Sequence, residues 1–128
     1  MKDLIKTIET TNAPAAIGPY SQAKVFNGLL YTSGQIPLDP VTGEVAGVNI
    51  EAQTEQVMKN ISAVLNAADA GFNSVIKTTC FLSDMSNFAA FNSIYEKYFT
   101  NKPARSCIAV KSLPKNVLVE VEVIAVCK

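Results

Sequence analysis

Val117-Leu118-Val119-Glu120-Val121-Glu122-Val123-Ile124-Ala125-Val126 is the stretch that decides the fold. Its β-branched residues suit a pleated strand. A period of two sends Val117, Val119, Val121, Val123 and Ala125 to one face and Leu118, Ile124 and Val126 to the other. A strand apolar on both faces belongs in the middle of a sheet. Glu120 and Glu122 interrupt the second face, where a carboxylate must find a partner or a water that it can use.

Working outward, Ser106 to Lys111 reads as the preceding strand, with Arg105 at its mouth and Pro103 two residues before it. Ser112 to Asn116 has the length of a hairpin loop that would make these two strands neighbours. Ser74 to Leu82 reads as another strand, and a helix led by Ser83-Asp84 or Ser86 reaches Phe99 with Phe88, Phe91, Ile94, Tyr95 and Tyr98 on its apolar side. From Asn49 to Ala70, apolar residues recur at three-and-four spacing, and Gly71 supplies a stop. Gln35 to Gly47 is a loop punctuated by Pro37, Asp39-Pro40 and Thr42-Gly43. Asn27-Gly28 joins Gln22–Phe26 to Leu29–Ser33 as a hairpin. Asn12 to Gly18 is turn-rich, and Leu4 to Thr10 is β-prone. The sum is an α+β sheet with two helices on one face. One helical layer leaves the other face bare, and a second subunit is expected to cover it.

The 128 residues suit one domain, and with 48% hydrophobic and 17% charged residues the chain can build a core. Eleven Lys+Arg balance eleven Asp+Glu, without the basic excess that nucleic-acid binding uses. There is no histidine, which removes Ser-His-Asp and Cys-His catalysis and the imidazole metal sites. Cys80, Cys107 and Cys127 form no CxxC pair, and each sits in an apolar, strand-like context. No signal-peptide pattern or membrane-length run is present, so a soluble, cytoplasmic protein is expected.

Arg105 offers a planar, permanently charged fork that can hold a small carboxylate through two parallel hydrogen bonds. A strand-end salt bridge to Glu122 or an aspartate is the competing reading. Glu120, among apolar neighbours, can orient or deprotonate a water, or it can share an ordinary polar stripe with Glu122. Gly34, at a strand end beside Ser33, permits close backbone approach to a ligand or marks a simple bulge.

Gly18-Pro19-Tyr20-Ser21-Gln22-Ala23, Thr32-Ser33-Gly34-Gln35-Ile36-Pro37, Asn92-Ser93-Ile94-Tyr95, Pro103-Ala104-Arg105-Ser106 and Val119-Glu120-Val121-Glu122 resemble, in order and spacing, the Rid family of enamine/imine deaminases. The resemblance spans essentially residues 1–128 as a single Rid-type domain. It implies a chorismate-mutase-like α+β fold with a mixed six-stranded sheet, in which the final strand inserts centrally instead of pairing with its predecessor. It also implies a homotrimer with active sites between subunits, and hydrolysis of 2-iminobutanoate and 2-iminopropanoate to 2-oxo acids and ammonia. Neither metal nor cofactor belongs to that activity, and the implied partner is a small imino or oxo acid, not nucleic acid or membrane. The family motif selects Glu120 over Glu122 as the group that positions water and Arg105 as the carboxylate clamp. It adds Cys107, whose main-chain groups would line the pocket, and Tyr20, Ser33, Gly34 and Asn92 as substrate-binding residues.

Overall fold

The computed structural model describes residues 4–128. Asn27 and Gly28 take the left-handed φ values, +55° and +76°, that a tight hairpin turn requires. They join strands β2 (Ala23–Phe26) and β3 (Leu29–Thr32). Strand β1 (Lys6–Ile8) pairs with the outer edge of β2. After helix α1 (Ile50–Ala67) come strand β4 (Val75–Leu82), helix α2 (Phe88–Tyr98), strand β5 (Ala104–Ala109) and strand β6 (Val119–Val126). The six-stranded sheet runs β1-β2-β3-β6-β4-β5, and only the β4–β5 pair is parallel. Strand β6 is thus central, as its two apolar faces require. It is not the neighbour of β5, because Pro114–Asn116 forms a 3-10 turn that sends the chain across β4.

One face of β6 carries Val119, Val121, Val123 and Ala125, all at most 2% exposed beneath the helices. The apolar stripe of α1, including Val57, Met58, Ile61, Val64 and Leu65, meets them, and α2 adds Phe91 and Tyr95. Three buried amides tie loops to this core. The Gln22 amide accepts from Thr10 N–H at 2.7 Å and donates to Pro14 C=O at 2.8 Å. Gln53 donates to Gly47 C=O and accepts the Leu118 N–H at 2.8 Å, at the entrance to β6. Asn60, with no exposure, donates to the carbonyls of Ile36 and Leu38, each at 3.0 Å. Loops that run over a core can leave buried carbonyls without water, and these side chains supply the missing donors.

Three boundaries differ from the sequence expectation. Helix α1 stops at Asp69, not Gly71: Asp69 adopts φ +55°, and Ala70 N–H reaches back to Leu65 C=O at 2.9 Å, closing a Schellman motif with aspartate in the usual glycine position. Helix α2 follows a short 3-10 turn, Met85–Asn87, and it is Asp84 that caps that turn by accepting the Ser86 N–H at 2.8 Å. Strand β5 begins at Ala104 because Lys102, at φ +55°, turns the chain early, so Arg105 lies inside the strand, paired in register with Thr78.

The second face of the sheet has no helix over it. Tyr31, Ile76, Ile108 and Val126 are exposed, and the sheet's pleat places Phe81 and Ile124 among them. No described helix is long and apolar enough to cross a membrane. Replacing Asn60 with alanine removes the donor to two partly buried carbonyls and should lower unfolding free energy by about 1–3 kcal/mol. Urea denaturation measures this, and a loss within experimental scatter would contradict the stapling role.

Candidate active site

The register fixes where each candidate side chain points. Thr78, Cys80 and Leu82 pair with Val123, Val121 and Val119, so they share the helix-covered face. Arg105 and Cys107 are the partners of Thr78 and Cys80 on β5 and therefore face the helices too. Glu120 pairs with Phe81, on the opposite, uncovered face. Within one chain the guanidinium and the carboxylate are on different sides of the sheet.

On the helix side, one stripe of α2 receives Arg105. Its Nη1 donates to Asn92 Oδ1 at 2.6 Å. The guanidinium carbon is 4.7 Å from the Tyr95 ring centroid and 5.5 Å from that of Phe88. Phe88, Asn92 and Tyr95 follow the i, i+4, i+7 spacing of a single helical face. That spacing was the available signal for this cradle, and it shows why Asn92 stands among the aromatics. Among the described residues the one ion pair is Lys97–Glu55, so Arg105 meets no carboxylate and the strand-end salt bridge does not form. The cation is held by a neutral amide and ring faces, with its remaining N–H groups unclaimed by an anion.

Cys107 is half-buried beside Arg105. Burial pushes its thiol up, with the Arg105 charge opposing part of that shift. Its strand neighbour Cys80 is fully buried and is pushed up to about 12 by burial. For both thiols the direction of the shift disfavours the thiolate, the form that nucleophilic attack uses.

On the uncovered side, a bulge builds the second group. Between the pairs Tyr31↔Ile124 and Gln35↔Val121, the residues Thr32, Ser33 and Gly34 stand opposite Glu122 and Val123. The Thr32 hydroxyl replaces a ladder carbonyl by accepting the Val123 N–H at 3.0 Å. Ser33 donates its N–H to Gln22 C=O at 2.9 Å and its hydroxyl to Ser21 C=O at 2.6 Å. Gly34 is then pressed against Glu120: a Cβ built there would lie 1.8 Å from Glu120 Oε2. The bulge reading of Ser33-Gly34 holds, and the close approach that Gly34 makes is to the Glu120 side chain.

The Glu120 carboxyl is half-buried and makes no hydrogen bond among the described residues. Burial raises it above the ordinary glutamate range, and the nearby Glu122 charge adds to the rise. Tyr20 is exposed and borders an open cavity of about 700 Å³ with Glu9, Thr10, Thr11 and Ser21. Neither Arg105 nor Glu120 lines that cavity. The chain therefore carries two separate groups, Arg105–Asn92–Cys107 and Glu120–Gly34–Ser33, with Tyr20 linked to the second through Ser21. Sequence reasoning overlooked Tyr95, Phe88 and Thr32.

The family model described as Endoribonuclease L-PSP matches residues 10–127. A Lactococcus lactis protein provisionally named as the regulator AldR is 62% identical over 122 residues, covering 94% of this chain and 97% of its own length. The 2-iminobutanoate/2-iminopropanoate deaminase of Salmonella typhimurium is 48% identical over 125 residues, 94% of this chain and 97% of its own. The crystal structure of Escherichia coli TdcF with bound serine superposes with a TM-score of 0.91 at 40% identity, covering 96% of this chain and 99% of that one. With its family model matched almost end to end and the fold shared, the chain belongs to the endoribonuclease L-PSP family, the Rid family whose motifs it carries.

Proposed function

We propose that this protein is a hydrolytic deaminase that converts 2-imino acids such as 2-iminobutanoate and 2-iminopropanoate into 2-oxo acids and ammonia. The observation that carries the reading is Arg105: a rigidly cradled guanidinium with no protein anion suits a small carboxylate ligand. The deaminase name of a relative and the serine held by another agree with a small amino-acid-like substrate.

In this reading Arg105 grips the substrate carboxylate and fixes the tilt of the adjoining C=N bond. Glu120 takes a proton from a water whose oxygen attacks C2, while the C=N π electrons pass to nitrogen. The carboxyl then returns the proton to that nitrogen, giving a carbinolamine. Glu120 then passes the hydroxyl proton to the same nitrogen, and C=O re-forms as the C–N bonding pair leaves with it as ammonia. A carboxylate whose affinity for protons is raised by burial is suited to both directions of transfer. Tyr20, Ser33, Gly34, Asn92 and the main chain of Cys107 complete the walls. The chemistry asks for no metal or cofactor.

Arg105 and Glu120 face opposite sides of one sheet, so the site is assigned to the junction between subunits of a homotrimer whose interface uses the uncovered face. The medium is the cytoplasm, where such imines form.

One specific observation favours a second reading, a non-catalytic module that binds 2-oxo acids through the same clamp and reports them to a partner: a close relative is named as a regulator. Tight 2-oxobutanoate binding without imine turnover would select it. The family's endoribonuclease description suits this chain less, given a formal net charge of zero and no histidine.

Separately, Arg105→Ala and Glu120→Gln should each remove nearly all turnover in a dehydratase-coupled assay. Co-assembled from equal amounts, the two inactive chains should recover about a quarter of wild-type activity, because shared sites draw one residue from each subunit. No recovery in verified mixed trimers would place both residues in one subunit's site. The acid limb of the kcat/KM profile should fall at a pH above that of an ordinary glutamate, because protonated Glu120 cannot accept the water's proton. Glu120→Gln should flatten the limb, and an unchanged limb would assign it elsewhere. Gly34→Ala should displace the Glu120 carboxylate and cost about a hundredfold in kcat. Its thermal melt should stay close to wild type, since only a flexible side-chain end must move; loss of fold instead of rate would refute the close-approach role.

A further inference from the structure

We propose that Tyr95 is a positioning residue for Arg105, and that Thr78 locks the tyrosine ring in place. The inference rests on the reading of Arg105 as the carboxylate clamp. Tyr95 lies fully under the helix layer, 6% exposed, with its ring 4.7 Å from the guanidinium carbon. Its hydroxyl shares a 2.8 Å hydrogen bond with the Thr78 hydroxyl, which is buried without exposure. Thr78 is in turn the register partner of Arg105 on the adjacent strand. The three residues close a loop: strand pairing fixes Thr78 beside Arg105, Thr78 fixes the ring, and the ring supports the guanidinium that extends from the same strand pair. Phe88 stands 5.5 Å from the guanidinium carbon, and Asn92 holds Nη1.

What the cradle omits is as informative as what it contains. A half-buried arginine is usually steadied by a carboxylate, but such a partner would neutralise the charge and would have to be displaced by every incoming anion. The negative face of an aromatic ring attracts the cation without cancelling its net charge, and it leaves the in-plane N–H groups free. Tyr95 therefore fixes the fork while keeping its full charge for a ligand. Because the ring sits behind the arginine, it acts on the grip and not on the bond-making atoms. Its contribution belongs in KM and in ligand affinity, with kcat little changed.

The test is a series at position 95 in the assembled protein: phenylalanine, then phenylalanines with increasing fluorine substitution, which weaken the ring's negative face at nearly constant shape. Binding of 2-oxobutanoate is measured by calorimetry, alongside kcat and KM for the imine. Tyr95→Phe, which loses the Thr78 bond but keeps the ring, should weaken binding by about threefold, and unchanged binding would remove the locking role of Thr78. Affinity should then fall stepwise with fluorination by a total of about fivefold to thirtyfold, with KM rising in parallel and kcat within twofold. A flat series in folded protein would overturn the inference, since a ring that only fills space does not respond to fluorine. Tyr95→Leu supplies a second arm and should weaken binding at least as much as the most fluorinated ring. Arg105→Ala is run beside them: if it leaves 2-oxobutanoate binding intact, the carboxylate-clamp reading itself fails, whereas its loss together with a flat fluorine series removes the role of Tyr95 alone.

Discussion

Strand Val119–Val126 is hydrogen-bonded along both edges, and every element that carries chemistry takes its position from it. Its pairing with β4 sets Phe81 beside Glu120, and β4 in turn sets Thr78 beside Arg105 on β5. Its pairing with the β3 edge is interrupted by the bulge that delivers Gly34 onto the Glu120 carboxyl. The alternation of a pleated strand then does the sorting: four small apolar residues go to the helices and Glu120 goes to the other side. A slip of one residue in that register would exchange the two sets, and the buried valine row makes such a slip costly.

Buried polar groups tie the irregular segments to the core. Gln22, Gln53 and Asn60 each satisfy carbonyls of chain segments that cross the core without regular structure. Gln22 also links the turn-rich segment before Tyr20 to the strand that leads to Ser33, through Ser33 N–H. Gln22 itself lines the cavity that Tyr20 borders, so one residue joins the core to that wall. On the far side of the helix layer, Tyr98 and Lys97 both bond Glu55, joining α2 to α1 and steadying the helix whose opposite stripe faces Arg105. That bond pushes the Tyr98 hydroxyl up to about 12 and holds Glu55 below the usual carboxylate range.

The central place of the last strand was legible because Leu118, Ile124 and Val126 make its second face apolar, and the Asn27-Gly28 turn was legible because both residues tolerate positive φ. Pleat parity also groups Arg105 with Cys107, and Glu120 with Glu122, from sequence alone. It does not relate one pair to the other, since that needs the parallel register of β4 with β5, a contact between segments separated by a whole helix. The start of β5 and the end of α1 differ from expectation for a common reason: Lys102 and Asp69 adopt left-handed backbone, which aspartate tolerates but which neither residue signals as glycine would. The buried amides were invisible because their partners are main-chain carbonyls of loops, which carry no sequence signature. Family resemblance named Tyr20, Ser33 and Asn92 as pocket residues, and the fold relates them to two motif residues that were given no site role, Thr32 and Tyr95.

The placement of Arg105 and Glu120 on opposite sides of a single sheet has a consequence for the protein's life in the cell. On the proposed reading, a freshly synthesised chain can be fully folded and still be inert, because its two groups face opposite sides of the sheet. On the proposed reading, catalytic competence is conferred by encounter with sister chains, so scarcity and dilution act on it as effectively as any inhibitor. Folding and function would then be separate events, divided by a search for companions.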